Sequence, residues 1–315
     1  MSIDARLVAP AVACWVTAGI LIAFPHAAAV WALVLWLAAG LGGTVALWRF
    51  RGRAMAGAAV VCLAACAVAA SAVAFAGPAR QPAELTTGSG IRAVTAVARV
   101  DSMPRAAAGA NTFGSPGRVR FTATLTRVQA ATGEIAGAMP TLVTVATAPG
   151  VAHRIEIGAT IVLKGTLRSA AAEERSGFFL TASAPAVVTA PASGMLAWTN
   201  HLRSSFSAAA AALPGDGGAL LPGLSIGDVS AVSDTLDNSM KLSSLSHLTA
   251  VSGANCAVVI AVMMLVTGLL RLGRTARVVI ALTALLGFVV LVTPGPSVLR
   301  AAVMAAIVAF SMAAG

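Results

Sequence analysis

Residues 220–255 read LLPGLSIGDVSAVSDTLDNSMKLSSLSHLTAVSGAN and pass without a break into CAVVIAVMMLVTGLL at 256–270. Asp228, His247, Ser252 and Asn255 therefore stand within or just before a run with the composition of a membrane helix. On insertion scales an ionisable side chain costs about 2.5–3.5 kcal/mol at the bilayer centre, so it is retained where it faces a cavity, a pathway or a partner. A membrane architecture is expected, with its function sought in this stretch.

Composition agrees. The chain is 58% hydrophobic and 10% charged, with a mean hydropathy of +0.89, too apolar for a soluble domain of its length. Lys and Arg number 21 against 11 Asp and Glu, a formal charge of +10. That excess suits nucleic acid or anionic lipid as a partner, although part of it is the ordinary positive charge that orients membrane proteins. The four cysteines, Cys14, Cys62, Cys66 and Cys256, all lie in apolar runs without neighbouring histidines. They read as small packing residues rather than metal or redox centres.

Three apolar spans open the chain: Val8 to Phe24, Ala28 to Trp48 and Ala54 to Ala76. Each is long enough to cross a hydrocarbon core of roughly 30 Å. Two further spans follow the first at once, which argues against a cleaved signal peptide. Arg49, Arg51 and Arg53 crowd the turn between the second and third spans, so that turn is expected in the cytoplasm, with the N-terminus. Residues after Gly77 then emerge on the outer face.

From Arg80 to about Pro191 the chain turns polar and Thr-rich. In Arg118–Leu125, Val119, Phe121, Ala123 and Leu125 alternate with Arg118, Arg120, Thr122 and Thr124, the period of a half-buried strand. GATIVLKGTLR repeats the pattern, with Ile161, Leu163 and Leu167 opposed to Lys164, Thr166 and Arg168. IRAVTAVARV, TLVTVATA and FFLTASAPAVV complete about five strands, separated by SPG, ATGE and APG turns. Five strands in this length suit a closed barrel of the OB type, which leaves no exposed edges. Such barrels hold nucleic acid through a basic groove and stacking aromatics. Arg118, Arg120, Lys164 and Arg168 supply the charge, but the aromatics are only Phe113, Phe121, Phe178 and Phe179, with Phe121 assigned to the core. A structural or assembly role competes with nucleic-acid binding.

Beyond the barrel, Met195, Trp198, Leu202, Phe206, Ala209 and Leu213 recur at three- and four-residue steps, with Asn200, Arg203, Ser204 and Ser207 on other faces. This predicts an amphipathic helix at the membrane interface, ended by Pro214 and Gly215, with packing against the barrel as the competing account. Three more spans follow, from His247 to Leu270, Val278 to Val292 and Val298 to Ala314. Arg271, Arg274 and Arg277 separate the first two and should be cytoplasmic, in agreement with the first arginine cluster. The final span lacks a polar flank, so the chain is expected to be the N-terminal piece of something longer.

GLSIGD (Gly223–Asp228), LSHLTAVSGAN (Leu245–Asn255) and PSVLRAAVM (Pro296–Met304) resemble, in order and spacing, the competence domain of the ComEC family of DNA-internalisation proteins. Members also begin with a few membrane spans and an OB-like extracytoplasmic domain, so the resemblance covers nearly the whole chain. It implies an α-helical polytopic protein of the bacterial cytoplasmic membrane with an inserted all-β OB-like domain. Residues 1–79 form three transmembrane helices, 80–192 the extracytoplasmic barrel, 193–215 the interfacial helix, and 216–315 the N-terminal part of the competence channel. The implied cargo is single-stranded DNA in natural transformation. Membrane lipid, other competence machinery, a cytoplasmic helicase and further copies of the chain are the implied partners.

A path for DNA must offer cations and donors to phosphates. Arg300 fits that demand, or else snorkels to the interface or neutralises Asp228. Asp228 reads as a helix cap, a partner of Arg300, or a cation site at the channel mouth. His247, at the head of a span, bridges to backbone or to Asp228. Ser252 and Gly253 pinch the helix or permit close packing, and Asn255 donates to a phosphate. Many relatives read S-G-L-H where this chain reads S-G-A-N, which puts in doubt a mechanism needing an imidazole at Asn255. No H-x-H-x-D-H and no Walker A loop occurs, so neither the metallo-β-lactamase-like domain of many relatives nor an ATPase is present. The chain is expected to be no enzyme, with no cofactor, metal or catalytic residue. A small-solute transporter with no nucleic-acid role is the alternative.

Overall fold

The computed structural model describes all residues except 1–7, 50–53, 87–90, 107–117, 132, 147–154, 172–173, 244–252, 293–295 and 315. Two compact units divide the chain: Met1–Val94 with Leu125–Leu142 and Gly165–Thr181, and Thr95–Thr124 with Val143–Lys164 and Ala182–Gly315.

The first unit opens with α1 (Val8–Ala23), a single 3₁₀ turn at Pro25–Ala27, α2 (Ala28–Arg49) and α3 (Ala54–Arg80). Their shared core is built from small side chains, with Leu21, Ala28, Ala32 and Ala70 buried and Leu35, Val73 and Ala74 against them. Small residues let helix backbones approach closely where lipid is as apolar as leucine. The large apolar side chains point outward instead: Trp15, Phe24, Leu37, Trp48 and Phe75 are all exposed. Such an inversion has no aqueous rationale and suits a hydrocarbon surround. α3 continues through Pro78, and Gln81 beyond it donates to the carbonyls of Ala170 and Gly177 at 2.9 and 2.7 Å. A one-turn helix, α4 (Ala83–Thr86), follows.

Among the described residues, seven strands lie between Ile91 and Ala190: β1 (Ile91–Val100), β2 (Arg105–Ala106), β3 (Arg118–Ala130), β4 (Gly133–Ala146), β5 (Thr160–Ser169), β6 (Phe178–Ala182) and β7 (Val187–Ala190). Their order is β1-β3-β4-β6-β5, and a further β1–β5 pairing returns the sheet to its start, with β7 beside β5 and β2 beside β3. All five expected strand segments are present, and FFLTASAPAVV divides into β6 and β7. Of the ATGE segment, Ala131 follows β3 and Gly133 opens β4, whereas Thr132 and the SPG and APG segments lie outside the described residues. Burial alternates as the sequence predicts, with Phe121, Ala123, Leu125, Ile161, Leu163 and Leu167 buried.

The second unit continues with α5 (Gly194–Ala211), α6 (Asp216–Ile226), α7 (Asp234–Leu242), α8 (Gly253–Leu269), α9 (Arg274–Val292) and α10 (Pro296–Ala314). Cys256, Leu285, Val289, Val292 and Val298 form the core shared by α8, α9 and α10. Among the described residues, Pro25–Val45, Gly57–Arg80 and Arg274–Val292 are long and apolar enough to cross a membrane; Pro10–Ala23, Ala254–Leu269 and Ser297–Ala309 are shorter apolar helices. α8 ends in a Schellman turn, with Arg271 N–H on Gly268 O and Leu272 N–H on Thr267 O. Arg271 occupies the left-handed position at φ 52°, where glycine is usual.

Candidate functional site

The GLSIGD motif is the last turn of α6 and its cap. Gly227 has φ 76°, a conformation open to glycine at little cost, and its N–H returns to Gly223 O while Asp228 N–H reaches Pro222 O. The chain is thereby reversed, and Asp228 is carried inward to only 6% exposure.

Asp228 does not pair with Arg300. Its Oδ2 accepts from Ser207 Oγ of α5 at 2.9 Å, and its Oδ1 accepts from Ser230 N–H at 3.0 Å. Arg300 lies in the first turns of α10 with its side chain exposed, and no hydrogen bond or ion pair ties it to Asp228. Nor does Asp228 cap a helix: the N-cap of α7 is Ser233, which accepts from Leu236 N–H, while Asp228 closes a two-residue Asx turn.

α5 is laid down with its polar side inward. Thr199, Asn200 and Arg203 are buried, whereas Met195, Trp198 and Leu202 are exposed. The apolar stripe therefore makes no core against the strands. Arg203, at 2% exposure, is among the largest fully buried side chains. Its Nε and Nη2 donate to the carbonyls of Leu291 and Val290 in the last turn of α9, at 2.6 and 2.7 Å, and its Nη1 donates to Asn200 Oδ1 at 2.7 Å. Asn200 Nδ2 then donates to Ile157 O at 2.9 Å and reaches Glu156 Oε2 at 3.4 Å. The receiving turn is fixed by Gly158 N–H on Val100 O and by Val100 N–H on Ala159 O. Gly158 is at φ 86°, and a Cβ there would stand 2.7 Å from Leu196 Cδ1 of α5. Desolvation pushes the Arg203 guanidinium below the ordinary arginine range, and the negative charge of Asp228 opposes that shift.

Asn255, in the first turn of α8, donates from Nδ2 to Leu224 O of α6 at 3.2 Å. Two of the sequence motifs are thus hydrogen-bonded to each other, and Gly253 opens the helix between them. His247 and Ser252 lie outside the described residues. At the other ends of α8 and α9, Arg277 donates to Met264 O at 3.2 Å and lies against Gly268.

Arg118, Arg120, Lys164 and Arg168 are exposed as the alternation requires. Arg118 and Arg120 lie on β3, and Lys164 and Arg168 on β5, with β1 between these strands in the sheet order. Phe121 and Phe178 are both buried and offer no stacking face. Sequence reading missed Arg203, Asn200 and Ser207 as partners of the motifs. An arginine on an otherwise neutral helix, two helical steps from residues of the apolar stripe, was the available signal.

Residues 224–315 match the family described as Competence protein. Comparison with curated proteins and with solved structures returned no match. The matched segment holds the Asp228 turn, the head of α8 carrying Asn255 and the α9 end held by Arg203, and it covers the three motifs apart from Gly223: residues 224–315 carry the domain of the ComEC family of competence proteins.

Proposed function

We propose that this chain is a component of a cytoplasmic-membrane channel that admits single-stranded DNA during natural transformation. Membership of the competence family implies a role in DNA uptake, and the channel reading extends it. The observation that carries the extension is the joining of the motifs within one unit: Asn255 to Leu224 O, Asp228 to Ser207, and Arg203 to the end of α9. Polar groups at the ends of apolar helices are thus ordered into one assembly, as the wall of a polar passage requires.

The topology follows the arginines. The first turn of α8 and the last turn of α9 both meet α5 or α6, while Arg271, Arg274 and Arg277 lie at the opposite ends of the same two helices. With that basic turn in the cytoplasm, α5, α6 and the strands are extracytoplasmic, and the chain is polytopic with its N-terminus inside. The exposed Met195, Trp198 and Leu202 of α5 then face the lipid interface. The ring β1-β3-β4-β6-β5 supports an OB-type barrel. The role is that of a conduit, not a catalyst, and transport energy comes from a partner such as a cytoplasmic helicase. The test is deletion of the gene, scoring surface-bound and internalised labelled DNA separately. Binding should persist while internalisation is lost; normal internalisation would favour a solute transporter.

A further inference from the structure

Although β2 is only two residues long, it sets Arg105 directly opposite Arg120 of β3, with Ala106 opposite Val119. Direct antiparallel partners project to the same face with Cβ atoms about 4.5–5.5 Å apart, where like charges destabilise the pairing. Arg105 and Arg120 are both exposed, and Arg118, two residues earlier on β3, projects to the same side. Among the described residues no carboxylate relieves the repulsion. Asp101 is engaged by Thr124 Oγ1 at 2.6 Å and by Arg99 Nε at 4.0 Å, and among the described residues no carboxylate pairs with Arg105 or Arg120.

The same ribbon touches the family motif. Arg105 Nη2 lies 3.4 Å from Gly227 O, the carbonyl at the C-cap of α6. A cation at a helix C-terminus is favourable, and that accounts for one of the five guanidinium N–H groups of Arg105. It accounts for none of those on Arg120. An unneutralised arginine pair with free planar donors matches the geometry of phosphate oxygens, which guanidinium groups bind in bidentate fashion.

We propose that Arg105 and Arg120, flanked by Arg118, form a phosphate-binding step for single-stranded nucleic acid beside the Gly223–Asp228 turn. This rests on the reading of the chain as a DNA conduit and names where the strand is held as it meets the competence region. Among the described residues no side-chain hydrogen bond or ion pair involves Arg120, so its removal relieves repulsion without breaking one.

The experiment uses the full chain in phosphatidylcholine nanodiscs, with fluorescein-labelled oligothymidylate as the probe and its affinity followed against salt. Each single-strand phosphate contact contributes about 0.7 to the slope of log K on log salt. The Arg105→Gln/Arg120→Gln double variant should flatten that slope by about 1.4, and Arg274→Gln, at the far turn, should leave it unchanged. Arg120→Gln alone should flatten it by about 0.7 with an unchanged or raised melting temperature, which settles the matter if the double variant folds poorly. Equal slopes for wild type and Arg120→Gln would overturn the proposal, as would absence of binding by wild type at low salt. Loss of DNA internalisation on gene deletion, together with equal slopes, would refute this step alone and leave the conduit standing.

Discussion

Arg203 Nε donates to the carbonyl of Leu291 across 2.6 Å, joining a helix that precedes the matched competence region to the last turn of a helix inside it. The final carbonyls of a helix have no intrahelical donor, and the macrodipole favours a cation there. Arg203 meets both needs, and through Asn200 it passes the connection on to Ile157. The competence region is therefore organised in part from outside its own boundaries.

Removing that guanidinium should be costly. Arg203→Met leaves the carbonyls of Val290 and Leu291 without their donor in a buried site, at about 1–3 kcal/mol for each stranded group. A loss of about 2–4 kcal/mol is expected, read as a lowered melting temperature of the purified full chain. Arg203→Lys should recover only part, because an ammonium cannot fork between two carbonyls and Asn200. Melting unchanged in both variants would show the cap to be energetically idle.

The partners of Asp228 make a second expectation concrete. A double-mutant cycle between Asp228→Ala and Ser207→Ala should give a coupling of at least about 0.5 kcal/mol, as for residues in one hydrogen-bond network. The cycle between Asp228→Ala and Arg300→Ala should be additive, and Arg300→Ala alone should leave the folded level unchanged, since its side chain is exposed. Strong coupling in the second cycle would restore the ion pair that the sequence suggested.

Much of the architecture was legible because it rests on local periodicity. Apolar runs located α1, α2 and α3 to within a few residues, and the alternation at Arg118–Leu125 identified β3 and its buried face. What escaped was tertiary. Asp228 and Arg300 look complementary in a sequence, yet the left-handed Gly227 turns the carboxylate toward α5 instead. The α5 helix was read with its polar residues simply off the apolar stripe, whereas Asn200 and Arg203 are its buried side. Polarity alone does not reveal which face a helix buries when lipid can take the apolar one.

Orientation is tested by labelling. In a chain with Cys14, Cys62, Cys66 and Cys256 replaced, cysteine introduced at the exposed Thr166 should react with a membrane-impermeant maleimide in intact cells. Cysteine introduced at the exposed Arg274 should react only after permeabilisation. The reverse pattern would invert the topology, and labelling of both in intact cells would remove α8 and α9 from the membrane.

Asn255 offers the sharpest comparison between holding the fold and serving the cargo. Its amide donates to Leu224 O, so Asn255→Ala removes one hydrogen bond worth about 0.5–1.5 kcal/mol and should lower the folded level modestly. Asn255→Asp removes the same donor and sets a carboxylate against a carbonyl, and it also presents a negative charge to passing phosphates. DNA internalisation per folded molecule should therefore fall further for Asp than for Ala. Asn255→His keeps an N–H donor and should stay close to wild type in both measures. The assay is quantitative immunoblotting of membranes beside internalised labelled DNA. Equal internalisation per molecule for Ala and Asp would confine Asn255 to tethering α8 against α6, with no part in the path of the strand.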